Sequence, residues 1–283
     1  MSNQIDRPFS FRQGNSSLLV SMPHSGTVLL PEMEKRLTEA ARNLPDTDWY
    51  LPELYDFLNQ MDVSVIHANY SRYVIDLNRP VDDKPLYAGR TTGLFPEILF
   101  SDQAVFLEGQ QFDEATKSRI KAEVWLPYHQ KIGEELQRIQ AQHGYAILFD
   151  AHSIAAQVPM LFDGTLPDFN FGNNDGHACP VNLMANLADI VCQSSFSHVC
   201  NGRFKGGYIT RHFGQPEHHI HAIQLELSQA TYLADRHQDQ HQGHQPDYQL
   251  DHTKKQRVGA VLHQLIEALL AYGQSGELKL GTN

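Results

Sequence analysis

The stretch from residue 110 to residue 152 constrains the fold more than any other part of the chain. A helical pattern over 110–143 ends at Gly144, a residue suited to the left-handed cap that closes a helix. The apolar run Tyr145-Ala-Ile-Leu-Phe149 follows at once. A buried strand entered directly from a long helix is the building unit of a layered α/β fold. The strand, expected over 145–150, ends in Asp150-Ala151-His152. In open α/β sheets that carboxyl edge is where ligands bind. Pro127, inside the helical pattern, is expected to break or kink it.

Period and turn chemistry place the remaining elements. Strands are expected at 16–22, 63–69, 73–77, 207–212 and 220–227, and helices at 50–61, 180–195 and 252–273. In the last of these, Val258, Val261, Leu262, Leu265, Ile266, Leu269 and Leu270 share one face. Helices interleaved with apolar strands indicate a mostly parallel sheet. Residues 79–109 carry Pro80, Pro85, Gly89, Gly93 and Pro96, too many breakers for a regular element, and a long loop of this kind is often functional. The His/Gln-rich segment 235–250 is expected to be a solvated loop. With 283 residues and no repeat or evident linker, one domain over 1–283 is the simplest organisation.

Composition narrows the function. The formal net charge is -11, which argues against nucleic acid or an anionic membrane as partner, because both call for basic surfaces. An anionic substrate would require cations concentrated locally against the field of the whole. Three cysteines without CxxC spacing give neither a disulfide framework nor a thiolate zinc site. Neither a signal core nor a stretch of ~20 apolar residues is present, so a cytoplasmic enzyme is expected.

Two strand ends carry histidine. The run Ser17–Met22 leads into Pro23-His24-Ser25-Gly26, as Tyr145–Phe149 leads into His152. Imidazoles delivered alike by separate strands suggest a shared metal. Gly26 would let backbone approach a ligand closely, and Asp150 is suited to orient an imidazole. Asp46-Thr47-Asp48 offers a carboxylate, although Asp and Thr are also ordinary helix caps. Arg72-Tyr-Val-Ile-Asp76-Leu-Asn78-Arg79-Pro80 brackets a short apolar run with arginines, a pattern that fits an anion clamp as well as a surface ion pair. Along 222–227, Gln224 and Glu226 fall on one face and Ile223, Leu225 and Leu227 on the other. If that polar face turns inward, Glu226 can act as a general base; if outward, it is a surface glutamate. Arg203, Lys205 and Arg211 surround Gly206-Gly207 and add cations for an anion.

At these residues the chain resembles the N-formylglutamate amidohydrolase family, the deformylases of histidine breakdown. The matching blocks are PHSG (23–26), DTDW (46–49), SRYVIDLNRP (71–80), LYAGRTTGL (86–94), FDAHS (149–153), GGYITRHFG (206–214) and QLELSQATYL (224–233). They run in order over nearly the whole chain. The resemblance implies a three-layer α/β/α sandwich with a mixed, mostly parallel sheet, as in the zinc exopeptidase-like hydrolases that include carboxypeptidases and aspartoacylase. It implies Zn2+, or another divalent transition metal, on His24, His152 and an acidic residue. Those relatives carry a glutamate three residues after the first histidine, where this chain has Thr27, so the acid is expected to be Asp48, with Asp46 as the alternative. Asn78 and Arg79 correspond to the pair that holds the substrate's α-carboxylate, Arg72 to the arginine that polarises the scissile carbonyl, and Glu226 to the general base. The implied reaction is hydrolysis of N-formyl-L-glutamate, a small dicarboxylate whose second carboxylate falls to Arg211, with Arg203 or Lys205 beside it. Large residues near the metal, from the 86–96 loop, are expected to exclude bulkier acyl groups. The alternatives are a zinc amidohydrolase of the same scaffold with another N-acyl amino acid or a short peptide as substrate, and a non-catalytic binder of acidic amino acids.

Overall fold

Alternation along two neighbouring central strands sorts the whole molecule into layers. Successive side chains of a strand point to opposite faces. Ile147, Phe149 and Ala151 of one strand and Ile223, Leu225 and Leu227 of its neighbour belong to one buried cluster; Ala146, Leu148 and Ala222 belong to another. The structure, a computed structural model, describes residues 5–85, 91–235 and 248–275.

The strands are β1 (Phe9–Arg12), β2 (Leu18–Met22), β3 (Ser64–Ala68), β4 (Ala146–Ile154), β5 (Phe169–Gly172), β6 (His198–Cys200) and β7 (Ile220–Ser228). They form a seven-stranded sheet in the order β1-β3-β2-β4-β7-β5-β6. β3, β2, β4 and β7 run parallel, while β1 joins β3 and β5 joins β7 antiparallel. The helices are α1 (Glu39–Arg42), α2 (Leu51–Leu54), α3 (Glu114–Ile120), α4 (Leu126–His143), α5 (Val181–Cys192), α6 (Tyr208–Phe213) and α7 (His252–Gln274). Leu51 and Leu54 of α2, Leu183 and Leu187 of α5, and Val258, Leu262 and Leu265 of α7 cover one face of the sheet. Ile120 of α3, Ile132 and Leu136 of α4, and Ile209 of α6 cover the other. The result is the three-layer α/β/α sandwich with a mixed, mostly parallel sheet. No helix among the described residues is long and apolar enough to cross a membrane.

Several local expectations are corrected. Residues 73–77 form no strand; they are turn and coil, buried on all sides, with Asp76 N–H donating to the Leu94 carbonyl at 2.8 Å. Residues 208–212 are helical, because Ile209 N–H is drawn to Asn78 Oδ1 at 2.9 Å and the chain must turn there. The 50–61 helix is two short pieces, α2 and a 3-10 turn over Asp56–Gln60. Pro127 does not break its helix: α3 and α4 join through a π-helical turn over Lys121–Trp125, and α4 continues to Gly144, whose φ is 81°. Proline is tolerated in the first turn of a helix, where Pro127 lies in α4. β4 extends four residues past 150, so His152 lies within it rather than beyond it. Most of the His/Gln-rich segment, residues 236–247, lies outside the described residues, as do 86–90 of the irregular loop.

Candidate active site

His152 and Glu226 are partners in the parallel register of β4 and β7, as are Asp150 and Gln224. All four fall on the sheet face that α4 and α6 cover, beyond the apolar positions Leu148 and Ala222. The polar end of two core strands therefore opens as one buried patch. β2 runs beside β4, and the chain leaves it through Pro23 to deliver His24, so that the two imidazole centroids are 4.9 Å apart at a tilt of 54°. Asp48 arrives on the loop before α2, where its N–H donates to the His24 carbonyl at 3.0 Å. Gly26, expected to face a ligand, instead lets the Tyr70 backbone pack against the turn; a side chain there would overlap it.

Ligand atoms from His24, Asp48 and His152, all buried, lie within 4.8 Å of one another. Asp48 Oδ2 is 3.2 Å from His152 Nδ1 and 4.0 Å from His24 Nδ1. Two donors each ~2.1 Å from one ion lie at most ~4.2 Å apart; the two carboxylate–imidazole separations meet that limit, and the imidazole pair, bounded at 4.8 Å, would close slightly on a shared cation. The far nitrogens are held elsewhere: His24 Nε2 is 2.7 Å from Asp76 Oδ1, and His152 Nε2 is 3.2 Å from Asp150 Oδ2 and 3.0 Å from Asn78 Nδ2. Carboxylates behind imidazoles are the usual support of a metal site. The donor set of two imidazoles and one carboxylate fits a divalent metal. Asp46 is placed differently. Its Oδ2 accepts from the Tyr73 hydroxyl at 2.9 Å and from Phe100 N–H at 3.1 Å, so it supports the loop rather than the cluster.

Charge follows from these contacts. Burial, then the Arg72 charge, lowers the His24 pKa against the pull of Asp76. Burial also opposes charge on His152, but Asp150, Asp48 and Glu226 override it and raise that imidazole well above its ordinary value. Burial pushes Glu226 up to about 8, with Asp48 and Asp150 adding to the rise and His152 and Arg72 pulling it down. A cation bound beside Glu226 favours its ionised, proton-accepting form.

The cavity around this group measures about 70 Å³ and is lined by Arg72, Asn78, Arg79, Arg203, Gln224 and Glu226 besides the three candidate ligands. Three arginines thus collect at one point of an acidic chain. Arg72 donates from Nη2 to Asp76 Oδ2 at 2.7 Å and from Nη1 to the Asp46 carbonyl at 3.2 Å. Two buried polar atoms in the wall, Arg79 Nε and Thr92 Oγ1, have no hydrogen-bond partner among the described residues. Buried polar groups are rarely left so, and a polar ligand would satisfy them. Arg203 lines the cavity with Nε donating to the Leu161 carbonyl. Arg211 and Lys205 do not line it: Arg211 Nε donates to the Gly206 carbonyl, and Lys205 Nζ meets Asp175.

The model of the N-formylglutamate amidohydrolase family matches residues 16–233, well over half of the chain. The chain belongs to the N-formylglutamate amidohydrolase family. Within that family it is 50% identical over 272 residues to N-formylglutamate deformylase of Pseudomonas aeruginosa, covering 95% of this chain and 98% of that one. It is 49% identical over 271 residues, with the same coverage, to the N-formylglutamate deformylase of Pseudomonas putida. The crystal structure of N-formylglutamate amidohydrolase from Ralstonia eutropha JMP134 superposes with a TM-score of 0.80 at 19% identity, covering 95% of this chain and 99% of the other. That likeness reports the shared amidohydrolase fold.

Sequence reasoning overlooked three members of the site. Asp76 was visible only as an acid between Arg72 and Asn78; its placement behind His24 depends on the buried turn that replaces the expected strand. Gly207, expected as part of a turn, is where the chain must pass against Asn78: a Cβ there would overlap the Asn78 amide. Phe100, at the edge of the cavity with its ring against Arg72 at 4.9 Å, carried no signal beyond its place in the irregular 79–109 segment.

Proposed function

We propose that this chain hydrolyses N-formyl-L-glutamate to formate and L-glutamate, a step that would serve histidine degradation. The observation that carries this reading is a buried His24/Asp48/His152 group with Glu226 in register beside His152 and three arginines in the same cavity wall. Amide hydrolysis needs a base and an oxyanion stabiliser, and a dicarboxylate needs cations. The names of the two Pseudomonas relatives support the same substrate.

His24, Asp48 and His152 would hold the metal, zinc in our reading, leaving a position open as catalytic zinc sites do. When bound, such an ion supplies Lewis acidity and brings the pKa of water toward ~7. Glu226 accepts a proton from the attacking water as its oxygen bonds to the formyl carbon. The same carboxyl then gives that proton to the amide nitrogen as the C–N bond breaks. Arg72 faces the carbonyl oxygen and stabilises the charge that grows on it. Asn78 and Arg79 take the α-carboxylate, the unpartnered Arg79 Nε among the donors, and Arg203 takes the side-chain carboxylate. Asp76 and Asp150 hold the two imidazoles in orientation.

The test is release of formate from N-formylglutamate by the purified protein with zinc, beside N-acetylglutamate and a peptidyl glutamate. Preference for the formyl substrate, lost on chelation and restored by metal, is expected. Preference for the peptide would replace the substrate, and no turnover of any of the three would leave only a binding role.

A further inference from the structure

Phe100 stands between two cavities. The catalytic cavity and a neighbouring one of about 210 Å³ share Phe100, Ser153 and Ile154 in their walls. The second space continues past the shared wall to Pro45, Val158 and Tyr248. The shared wall includes the aromatic ring of Phe100. Phe100 N–H donates to Asp46 Oδ2 at 3.1 Å, the same oxygen accepts from the Tyr73 hydroxyl at 2.9 Å, and the Arg72 guanidinium lies 4.9 Å from the ring centroid. Arg72 is in turn tied to the buried Asp76. The ring is therefore anchored from its backbone and packed on its face.

Given the function proposed above, on which this step rests, the carbonyl carbon has two other substituents. One is the nitrogen, which leads to the α-carboxylate held by Asn78 and Arg79. The other is the acyl substituent, a single hydrogen in the formyl group, which points away from that pair. With the carbonyl oxygen against Arg72, the side left for it is the one closed by the ring on Arg72. We propose that Phe100 is the specificity-determining residue that limits the acyl group to formyl, and that the 210 Å³ cavity behind it is an annex able to receive longer acyl chains once the ring is removed.

The experiment measures kcat/KM of the zinc-loaded enzyme on N-formyl-, N-acetyl- and N-butyrylglutamate for the wild type, Phe100→Ala and Phe100→Leu. Loss of the ring from Arg72 weakens all three substrates alike and cancels in the ratios. The acetyl-to-formyl and butyryl-to-formyl ratios are expected to rise at least ~10-fold in Phe100→Ala, as steric differences of a methylene do in a pocket. Phe100→Leu should give a smaller rise and decides the matter if the alanine variant does not fold. Unchanged ratios overturn the proposal, and a rise for acetyl without butyryl overturns the annex. A wild type that releases no formate from N-formylglutamate rejects the functional reading itself. An active wild type with unchanged ratios rejects only the role of Phe100.

Discussion

Asp76 holds His24 with one oxygen and Arg72 with the other, each at 2.7 Å. One fully buried carboxylate thus orients a candidate metal ligand and the arginine proposed to face the scissile carbonyl. Burial disfavours its charge, but His24, Arg72 and Arg79 outweigh burial and hold it well below the ordinary carboxylate range. The ion-pair partner of Arg72 and the support of His24 cannot be changed separately.

Asp76→Asn keeps the shape and removes the charge. Loss of a supporting carboxylate behind a metal-binding imidazole typically costs ~10–100-fold in affinity, and that fall is expected in a chelator-competition titration with zinc. Asp76→Ala should do more, because it takes from buried Arg72 and His24 the hydrogen-bonding side chain as well as the charge that both variants remove; breaking a buried ion pair costs about 3–5 kcal/mol. Its urea midpoint should drop accordingly, while an unchanged midpoint would remove Asp76 from the frame of the site.

Glu226 tests the division between binding and chemistry. It stands outside the three-residue ligand group, so Glu226→Gln should retain metal. General-base loss should lower kcat by about 10²–10⁴-fold. Metal content by atomic absorption and turnover on the same preparation separate the two effects. Turnover close to the wild type would exclude Glu226 as the base.

Gly207→Ala probes how α6 meets the Asn78 turn. Gly207 has a φ of -82°, which alanine adopts freely, so backbone strain plays no part. The added methyl would overlap the Asn78 amide, whose oxygen accepts from Ile209 N–H and whose nitrogen approaches His152. Asn78 must move, which should raise KM for N-formylglutamate and lower kcat/KM by at least ~10-fold, with about 1–3 kcal/mol lost in stability for overpacking. Wild-type kinetics in this variant would place Asn78 outside substrate binding.

The parts of the fold legible in the sequence were those whose residues report their own surroundings. The apolar runs of β2, β4 and β7 and the one-sided face of α7 signal burial directly, and the alternation at Gln224 and Glu226 assigned faces that the core clusters bear out. Segments 73–77 and 207–212 misled because Tyr, Val, Ile and Thr favour strands, whereas tertiary hydrogen bonds decide their conformation. β1, β5 and β6, with three or four residues each, are too short to show a period. The histidines could be located because strands deliver them. Asp76 and Phe100 could not, since a turn and a loop place them.

His129 makes a pH prediction of its own. It lies one turn after Trp125, and both fasten the backbone that carries Asn78 and Arg79: Trp125 Nε1 donates to the Arg79 carbonyl at 3.0 Å, and His129 Nε2 lies 2.9 Å from the Leu77 carbonyl. Burial lowers the His129 pKa to about 4, against the raising effect of the Trp125 and Leu77 carbonyls. In the unfolded chain the imidazole titrates near ~6.5. Between those values the unfolded state binds the proton and the native state does not, so stability falls as pH falls through that window. The change integrates to roughly 3 kcal/mol. Urea denaturation of the wild type and His129→Leu from pH 7 to pH 4 should therefore diverge in slope, the variant losing less stability on acidification by about that amount. Parallel curves would mean that His129 stays charged in the native protein, with both ring nitrogens donating to the carbonyls of Trp125 and Leu77.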